Sequence, residues 1–461
     1  MSAQTTSELA EKYQQKTDKE HILANPDTYI GSVENVESDM WLYEPESNKV
    51  VQRTISYIPG LYKLFDEGIV NCRDHVVRMK QAVASNQEKA LPVTYIDLGI
   101  ADDGTITMTN DGNGIDVAMH PEYKIWIPEL IFGHLRTSTN YNKEEKKIVG
   151  GKNGFGFKLV LIWSTEGSIE TIDHVRGLKY VQSFSSNLDI IGKPKITKCS
   201  KSKPYTKISF KPDFQRFGIS GLTDDMKQVL VKRIYDVAAI TDKNIKVKYN
   251  SVQVPIKTFP QYVDMYIGSK DESQRVYEDH ANGRWEYVVS LSPTHEFQQV
   301  TYVNGIHTSK GGKHVDYVLQ QIIRKLSVYI EKKKKVNVNA NSIKEQLILF
   351  LRCDIENPAF DSQTKDYLNT PVSKFGSSCV VSDKFIEKIA KMGVMEAACA
   401  LTEVKETRAA KKTDGTKSKN VRGIPKLIDA NWAGTDKSSQ CTIIFCEGDS
   451  AKAGIVSGLS S

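Results

Sequence analysis

The sequence predicts an α+β protein: an α/β domain, with a helical and glycine-rich side facing a sheet, followed by a second α+β unit. Three observations carry this. A long helical apolar period begins at Pro59, two β-rich runs joined by Asp102-Asp103-Gly104 follow it, and strands alternate with a helix after residue 285. The chain has 461 residues. At ~150 residues per domain, about three domains are expected.

The elements follow in order. Ser7 to His21 is polar and helix-prone, and Asn25-Pro26-Asp27 breaks it. Pro59 is placed to start a helix over Leu61 to Val83, in which Leu61, Leu64, Phe65, Ile69, Cys72 and Val76 recur at helical spacing. Val93 to Ile100 and Thr105 to Thr109 read as two strands around a turn. A glycine-punctuated region from Asp111 to Gly156 leads into a helix over Lys158 to Trp163. Residues 170–255 read mostly as strands, with one helix near 223–240, and complete the first domain. In the second unit, 256–405, Tyr287 to Leu291, Gln298 to Val303 and Gln346 to Arg352 are strands, and Val315 to Tyr329 is a helix. Residues 406–436 are a Lys-, Thr-, Gly- and Ser-rich linker. Cys441 to Cys446 then has the pattern of a short buried strand.

Composition narrows the class. With 39% hydrophobic and 26% charged residues, the chain can bury real cores, which excludes wholesale disorder. Mean hydropathy is −0.39. No apolar run approaches the ~20 residues of a membrane helix, and none near Met1 to Gln15 resembles a secretory leader. A soluble intracellular protein with no membrane partner is expected. The seven cysteines form no CxxC pair, so no zinc ribbon or thioredoxin-type centre is offered, and free thiols in a reducing compartment are expected. The net charge of +6 is mild, but Lys332-Lys333-Lys334-Lys335 is unbroken, and residues 403–422 hold seven Lys/Arg against three Asp/Glu.

Chemistry concentrates in three places. Glu67, Asn71, Asp74 and Arg78 lie at i, i+4, i+7 and i+11 and share one narrow helix face. That face suits either solvent and i,i+4 pairing or, through its carboxylate and amide oxygens, a water and a magnesium ion. Asp111-Gly112-Asn113-Gly114 directly follows a strand, as a plain turn or as a close backbone approach to a ligand. Gly150-Gly151-Lys152-Asn153-Gly154-Phe155-Gly156-Phe157-Lys158 leads into a helix, as a surface loop or as a phosphate cradle of backbone N–H groups. It is neither a Walker A loop nor a dinucleotide fingerprint.

The three motifs in this order resemble the ATP-binding fold of DNA gyrase, heat-shock chaperones, histidine kinases and mismatch-repair ATPases, the GHKL family. Further segments point to one branch: His21 to Ser32, Pro59 to Asn71, Thr137 to Tyr141, Gly150 to Lys158, Phe360 to Lys365 and Glu447 to Lys452 resemble the N-terminal part of a eukaryotic-type DNA topoisomerase II. The resemblance implies a GHKL (Bergerat-type) α/β sandwich ATPase domain over 31–255, behind an N-terminal strap over 1–30. A transducer domain over 256–405 and the first strand of a TOPRIM domain over 437–461 follow. It implies Glu67 as the general base for the attacking water, Asn71 as the ligand of ATP-site magnesium, and Asp111 as the reader of adenine. By the same resemblance, Asp74, Gly112 and Gly114 border the nucleotide, and Ser138, Thr139 and Asn140 contact ribose and phosphate. Gly151, Lys152, Asn153, Gly154, Phe155, Gly156, Phe157 and Lys158 form a lid. Gln363, Thr364 and Lys365 reach the γ-phosphate, Tyr13 belongs to the strap crossing to a second subunit, and Glu447 binds TOPRIM magnesium. Lys332 to Lys335 is expected as a basic loop that tracks DNA phosphates.

The implied protein is an ATP-closed homodimer gate that captures double-stranded DNA, nuclear if its source is eukaryotic. Gly68, His75 and Thr139 depart from the family pattern, and Gly68 costs ~1 kcal/mol against alanine in a helix. No DxD pair follows Glu447. The chain is therefore expected not to cleave DNA alone, and to be an excised fragment or a separate subunit that works with the TOPRIM, winged-helix and C-gate parts. A chaperone-branch ATPase and a non-hydrolysing DNA-binding scaffold are the competing readings. DNA stimulation of ATPase activity separates the first, and an intact Glu67 and Lys365 oppose the second.

Overall fold

The computed structural model describes residues 15–135, 137, 147–151, 156–199, 202–280, 283–403 and 432–447, with Lys12, Ala430 and Ala451. Residues 1–395 form one compact unit and 396–461 a second.

Two short helices, α1 (Asp18–Ala24) and α2 (Pro26–Tyr29), meet at Asn25, where the residue before proline leaves helical geometry. A hairpin of β1 (Val36–Glu44) and β2 (Lys49–Tyr57), absent from the sequence reading, precedes α3 (Pro59–Ala84). Pro59 is the first residue of α3, and the predicted apolar residues are all buried. Beneath it, β3 (Tyr95–Ile100) and β4 (Ile106–Asp111) pair antiparallel and bury alternate residues. Gly68 has a structural reason here: a Cβ would stand 2.3 Å from Met108 Sδ, so glycine lets α3 lie close on β4.

The first region continues through α4 (Ile127–Gly133), α5 (Gly156–Ile162), β5 (Ser164–Asp173), β6 (Leu178–Ser185), β7 (Ile190–Ile191), β8 (Lys195–Lys198) and β9 (Tyr205–Pro212). It ends with α6 (Asp224–Ile240), β10 (Lys246–Tyr249) and β11 (Val252–Gln253). The strand order is β11-β10-β3-β4-β9-β5-β6-β7, with β8 also paired to β6. Within this sheet only β10 and β3 run parallel. Helices α3, α5 and α6 pack together over the sheet, and the β1–β2 hairpin covers α6.

The second region holds α7 (Phe259–Ile267), β12 (Arg275–Asp279), β13 (Trp285–Leu291), β14 (Gln298–Val303), β15 (Ile306–His307) and β16 (Gly311–Gly312). After these come α8 (Lys313–Lys334), α9 (Ala340–Lys344), β17 (Leu347–Cys353), β18 (Tyr367–Leu368) and α10 (Asp383–Ile389). Its sheet order is β12-β13-β17-β14-β15, and β14 and β17 are parallel because α8 carries the chain across between them. One apolar core joins Leu64 and Met108 of the first region to Val288 and Phe350 of the second.

Two expectations are corrected. Lys332, Lys333 and Lys334 are the last turn of α8 and Lys335 its left-handed cap, so the run is a helix end and not a loop. Lysine is a good helix former, and its charge complements the helix C-terminus. Cys441 to Cys446 is neither a strand nor buried: Ile443, Ile444 and Phe445 are exposed. A buried strand needs a neighbour for its backbone groups, and no described strand pairs with this segment.

Candidate active site

The polar face of α3 is not a solvated face. Glu67 is 4% exposed and Asp74 fully buried, and of the four spaced residues only Arg78 is exposed. The helix is sandwiched: its apolar side enters the core, while α5 and the second region close over its charged side.

Glu67 Oε1 accepts from two ammonium groups, Lys63 Nζ at 2.9 Å from the previous turn and Lys365 Nζ at 3.1 Å from the loop before β18. Burial alone would push the Glu67 carboxyl up; Lys365 and then Lys63 outweigh it and hold it below the usual carboxylate range. The second oxygen points elsewhere. A Cβ at Gly156, the first residue of α5, would stand 2.9 Å from Glu67 Oε2 and 3.8 Å from Asn71 Nδ2. Lys365 is buried and adopts φ +65, in the left-handed region.

Asp74 is held differently. Its carboxylate accepts the Gly150 N–H at 2.9 Å and the Gly151 N–H at 2.8 Å, tying the stem of the glycine loop to α3. Burial raises its pKa, and the opposing Arg78 and backbone contacts do not reverse this. The other end of the stem reaches the second region: Val149 O accepts from Asn304 Nδ2 at 3.3 Å, and Lys147 and Asn357 exchange backbone and side-chain hydrogen bonds.

Asp111 closes β4. Its carboxylate accepts from the Thr94 and Tyr95 backbone N–H groups at 2.7 and 3.0 Å, and from the Thr94 hydroxyl. Gly112 has φ +89, and a Cβ at Gly114 would stand 2.0 Å from Ile172 O, so neither position accepts a side chain without movement. His75 lies beside this turn. Its Nε2 is buried without a hydrogen-bond partner among the described residues, and burial holds its pKa down at about 4.

The remaining candidates divide. Gln363 and Thr364 directly precede Lys365; the Thr364 hydroxyl donates to Asp366 at 3.0 Å, and its methyl group approaches Gly31. Phe157 packs edge-on against Phe132 and Phe210 in the core. Lys158 Nζ donates to Thr137 O at 2.6 Å, and burial lowers its pKa to about 8. Lys332 to Lys335 are exposed. Glu447 is exposed in the second unit, and the described residues gather no group of three or more His, Cys, Asp or Glu side chains around a metal position. Tyr13, Ser138, Thr139, Asn140, Lys152, Asn153, Gly154 and Phe155 lie outside the described residues.

Sequence reasoning missed the layer behind Glu67. Lys63 Nζ lies 3.2 Å from Asp66 Oδ2, and Arg233 Nε donates to Asp66 Oδ1 at 2.8 Å. All three side chains are nearly or fully buried. Lys63 and Asp66 carry an i,i+3 signal, but Arg233 lies on α6, 167 residues from its partner, and no local pattern reports that pairing.

The buried Glu67 carboxylate, the Asn71 amide one turn on and the DxGxG turn after β4 sit on a mixed sheet followed by a second sheet, an α+β fold of GHKL type. A family model described as DNA gyrase B matches residues 258–418. The chain is 43% identical over 459 residues to DNA topoisomerase 2 of Arabidopsis thaliana, covering 98% of this chain and 30% of that protein. It thus spans about a third of the length of the curated relatives it matches. The crystal structure of the ATPase region of Saccharomyces cerevisiae topoisomerase II superposes with a TM-score of 0.79 at 40% identity, covering 86% of this chain and all of that one. The ATPase and transducer domains of DNA topoisomerase II from Balamuthia mandrillaris give 0.79 at 38% identity, over 88% of this chain and 100% of that one. The chain belongs to the DNA topoisomerase II family and corresponds to its ATPase region.

Proposed function

We propose that this chain is the ATP-operated dimerisation gate of a type IIA DNA topoisomerase, hydrolysing magnesium-bound ATP to capture a DNA duplex for strand passage. The observation that carries this is the 3.1 Å contact between Lys365, from a second-region loop, and Glu67 on the first-region helix. In this reading it joins a base on a helix of the first region to a phosphate-seeking cation on a loop of the second, so closing one region on the other would complete the chemistry.

Phosphoryl transfer needs an oriented water, positive charge on the equatorial oxygens and a bridging metal. Glu67 Oε2 faces the N-terminus of α5 and would orient and deprotonate the water. Lys365 would meet the γ-phosphate, with Gln363 and Thr364 forming its loop. Backbone N–H groups from Gly151 to Lys158 would cradle the phosphates, Asp111 would read the adenine amino group, and Ser138, Thr139 and Asn140 would hold ribose and phosphate. Glu67 Oε2 and the Asn71 amide border a position that a glycine leaves open. The amide atom nearest that position is Nδ2; with the amide turned to bring Oδ1 there, Asn71 would offer one hard oxygen to magnesium, which binds few protein ligands and completes its shell with phosphate and water. Asn71 would hold the ion, which supplies charge neutralisation of the phosphates. Glu447 would serve a second magnesium site in the TOPRIM part.

The four exposed lysines at the end of α8 would follow DNA phosphates without reading sequence. Tyr13 would cross to the partner subunit, and a nuclear location follows for a eukaryotic source. Among the described residues no helix is long and apolar enough to cross a membrane. Sedimentation of the chain with and without a non-hydrolysable ATP analogue tests the gate. The dimer fraction is expected to rise with the analogue, since a ligand shifts an equilibrium only by its differential affinity. Equal fractions contradict the gate.

A further inference from the structure

Behind Glu67 runs a buried chain of charges that leads out of the nucleotide site and into the second sheet. Lys63 Nζ touches Glu67 Oε1 at 2.9 Å and Asp66 Oδ2 at 3.2 Å. Asp66 Oδ1 accepts from Arg233 Nε at 2.8 Å, and Arg233 Nη2 donates to the Gly305 carbonyl at 2.5 Å. Gly305 belongs to the two-residue Asn304–Gly305 turn joining β14 to β15. That turn also grips the glycine-loop stem, through Asn304 Nδ2 on Val149 O at 3.3 Å, and the end of β17, through Asn304 and Ile355. Lys63, Asp66, Glu67 and Arg233 are each 5% exposed or less.

Buried charges of this kind contribute little net stability, because desolvation offsets their attraction. Here the geometry is selective. Both lysines take the same Glu67 oxygen, Oε1, and Oε2 is left facing Gly156. Lys365 is one of these lysines, and the γ-phosphate competes for it in the proposed reaction. When Lys365 turns to phosphate, Lys63 is the cation that remains on Oε1. Its own place is fixed by Asp66, which Arg233 grips through Nε while hooking the second sheet with Nη2.

We propose that Lys63 is a positioning residue for Glu67, seated by Asp66 and Arg233 from the Gly305 carbonyl, so that the Asn304–Gly305 turn sets which Glu67 oxygen faces the attacking water. This rests on the reading of Glu67 as the base. The relay acts on hydrolysis and not on nucleotide affinity, because none of Lys63, Asp66 or Arg233 borders Gly156 or the DxGxG turn. The charged groups facing Glu67 are Lys63 and Asp66 on its own helix and Lys365 from the second region, with Arg233 of α6 behind Asp66. Removing Lys63 takes away a cation that favours the Glu67 carboxylate, so the acid limb of the kcat–pH profile moves up in pH.

The test is a double-mutant cycle on the full chain. Lys63→Met is expected to lower kcat for ATP by ~10²-fold, the scale of a misplaced reacting group. Binding of a β,γ-imido ATP analogue should be little changed, and the acid limb should shift upward. In a Glu67→Gln background, Lys63→Met should cause no further loss of kcat, because a residue acting through Glu67 has nothing left to act on. Arg233→Lys keeps the charge but gives up the fork between Asp66 and Gly305. It should give the same pattern with a smaller fall in kcat, and it carries the cycle should Lys63→Met fail to fold. Additive losses in the cycle overturn the proposal, as does lost analogue binding with kcat unchanged. Near-normal turnover by Glu67→Gln alone would instead reject the base assignment, a separate result from the cycle.

Discussion

Two carboxylates lie two turns apart on one face of α3, both buried, and the protein uses them in opposite ways. Glu67 is met by two lysine side chains at a single oxygen, and its carboxyl is held below the usual range against the upward pull of burial. Asp74 is met by main-chain N–H groups of the glycine-loop stem, and burial leaves its carboxyl raised. A carboxylate paired to side-chain cations stays ionised and can turn a free oxygen to a substrate. One filled by backbone donors is committed to holding a loop. Position on the helix does not separate the proposed base from the tether; the kind of donor does.

Outside Glu67 itself, the largest effect should come from cutting the link between the two regions. Lys365→Met removes the charge proposed for the γ-phosphate, and kcat is expected to fall by ~10²–10³-fold, the cost of losing one preorganised electrostatic partner. Steady-state ATP hydrolysis by the purified chain checks this, and a loss of only a few-fold would detach Lys365 from the reaction.

A smaller effect is expected at the tether. Asp74→Asn replaces an acceptor oxygen with an amide that must face backbone donors, which should cost about 1–3 kcal/mol of stability. Urea unfolding measures it. Because the loop stem loosens, KM for ATP should rise more than kcat falls, the reverse of the pattern expected at Glu67.

The smallest effect is in the pH dependence of stability. The lowered Glu67 carboxyl contributes stability that is present above its unfolded pKa and lost as pH falls through its folded value. The raised Asp74 carboxyl does the opposite: its contribution is fullest below its unfolded pKa and is lost as pH rises through its folded value. On acidification from neutral pH, wild type should therefore lose its advantage over Glu67→Gln and gain relative to Asp74→Asn. Parallel curves for the two variants would mean that the two carboxylates are held alike.

Where periodicity is strong, the sequence predicted the fold closely. The α3 apolar spacing ran from 61 to 83 and the helix spans Pro59–Ala84; the β3–β4 hairpin and β14 were equally plain. Periodicity failed where tertiary context decides. The Glu67 face looks the same on a solvated helix, and its burial comes from α5 and a loop some three hundred residues away. The lysine run at 332–335 reads as a loop from charge alone, yet it prolongs α8. Cys441 to Cys446 has a strand's composition and no strand beside it among the described residues. The motifs singled out Glu67, Asn71 and Asp111, and the structure brings the first two together beside Gly156. They could not reveal Arg233, whose pairing with Asp66 exists only once α6 lies across α3.

Whether Glu67 is the base and Asp74 the tether is tested most directly by one paired measurement: ATP turnover and ATP binding on Glu67→Gln and Asp74→Asn side by side. Glutamine keeps the shape of Glu67 but loses its basic oxygen, so turnover should fall by ~10²–10⁴-fold with binding retained. Asp74→Asn should bind ATP more weakly and turn over what it binds at a rate closer to wild type. Near-normal turnover by Glu67→Gln, or a collapse of turnover with intact binding in Asp74→Asn, would contradict the assignment.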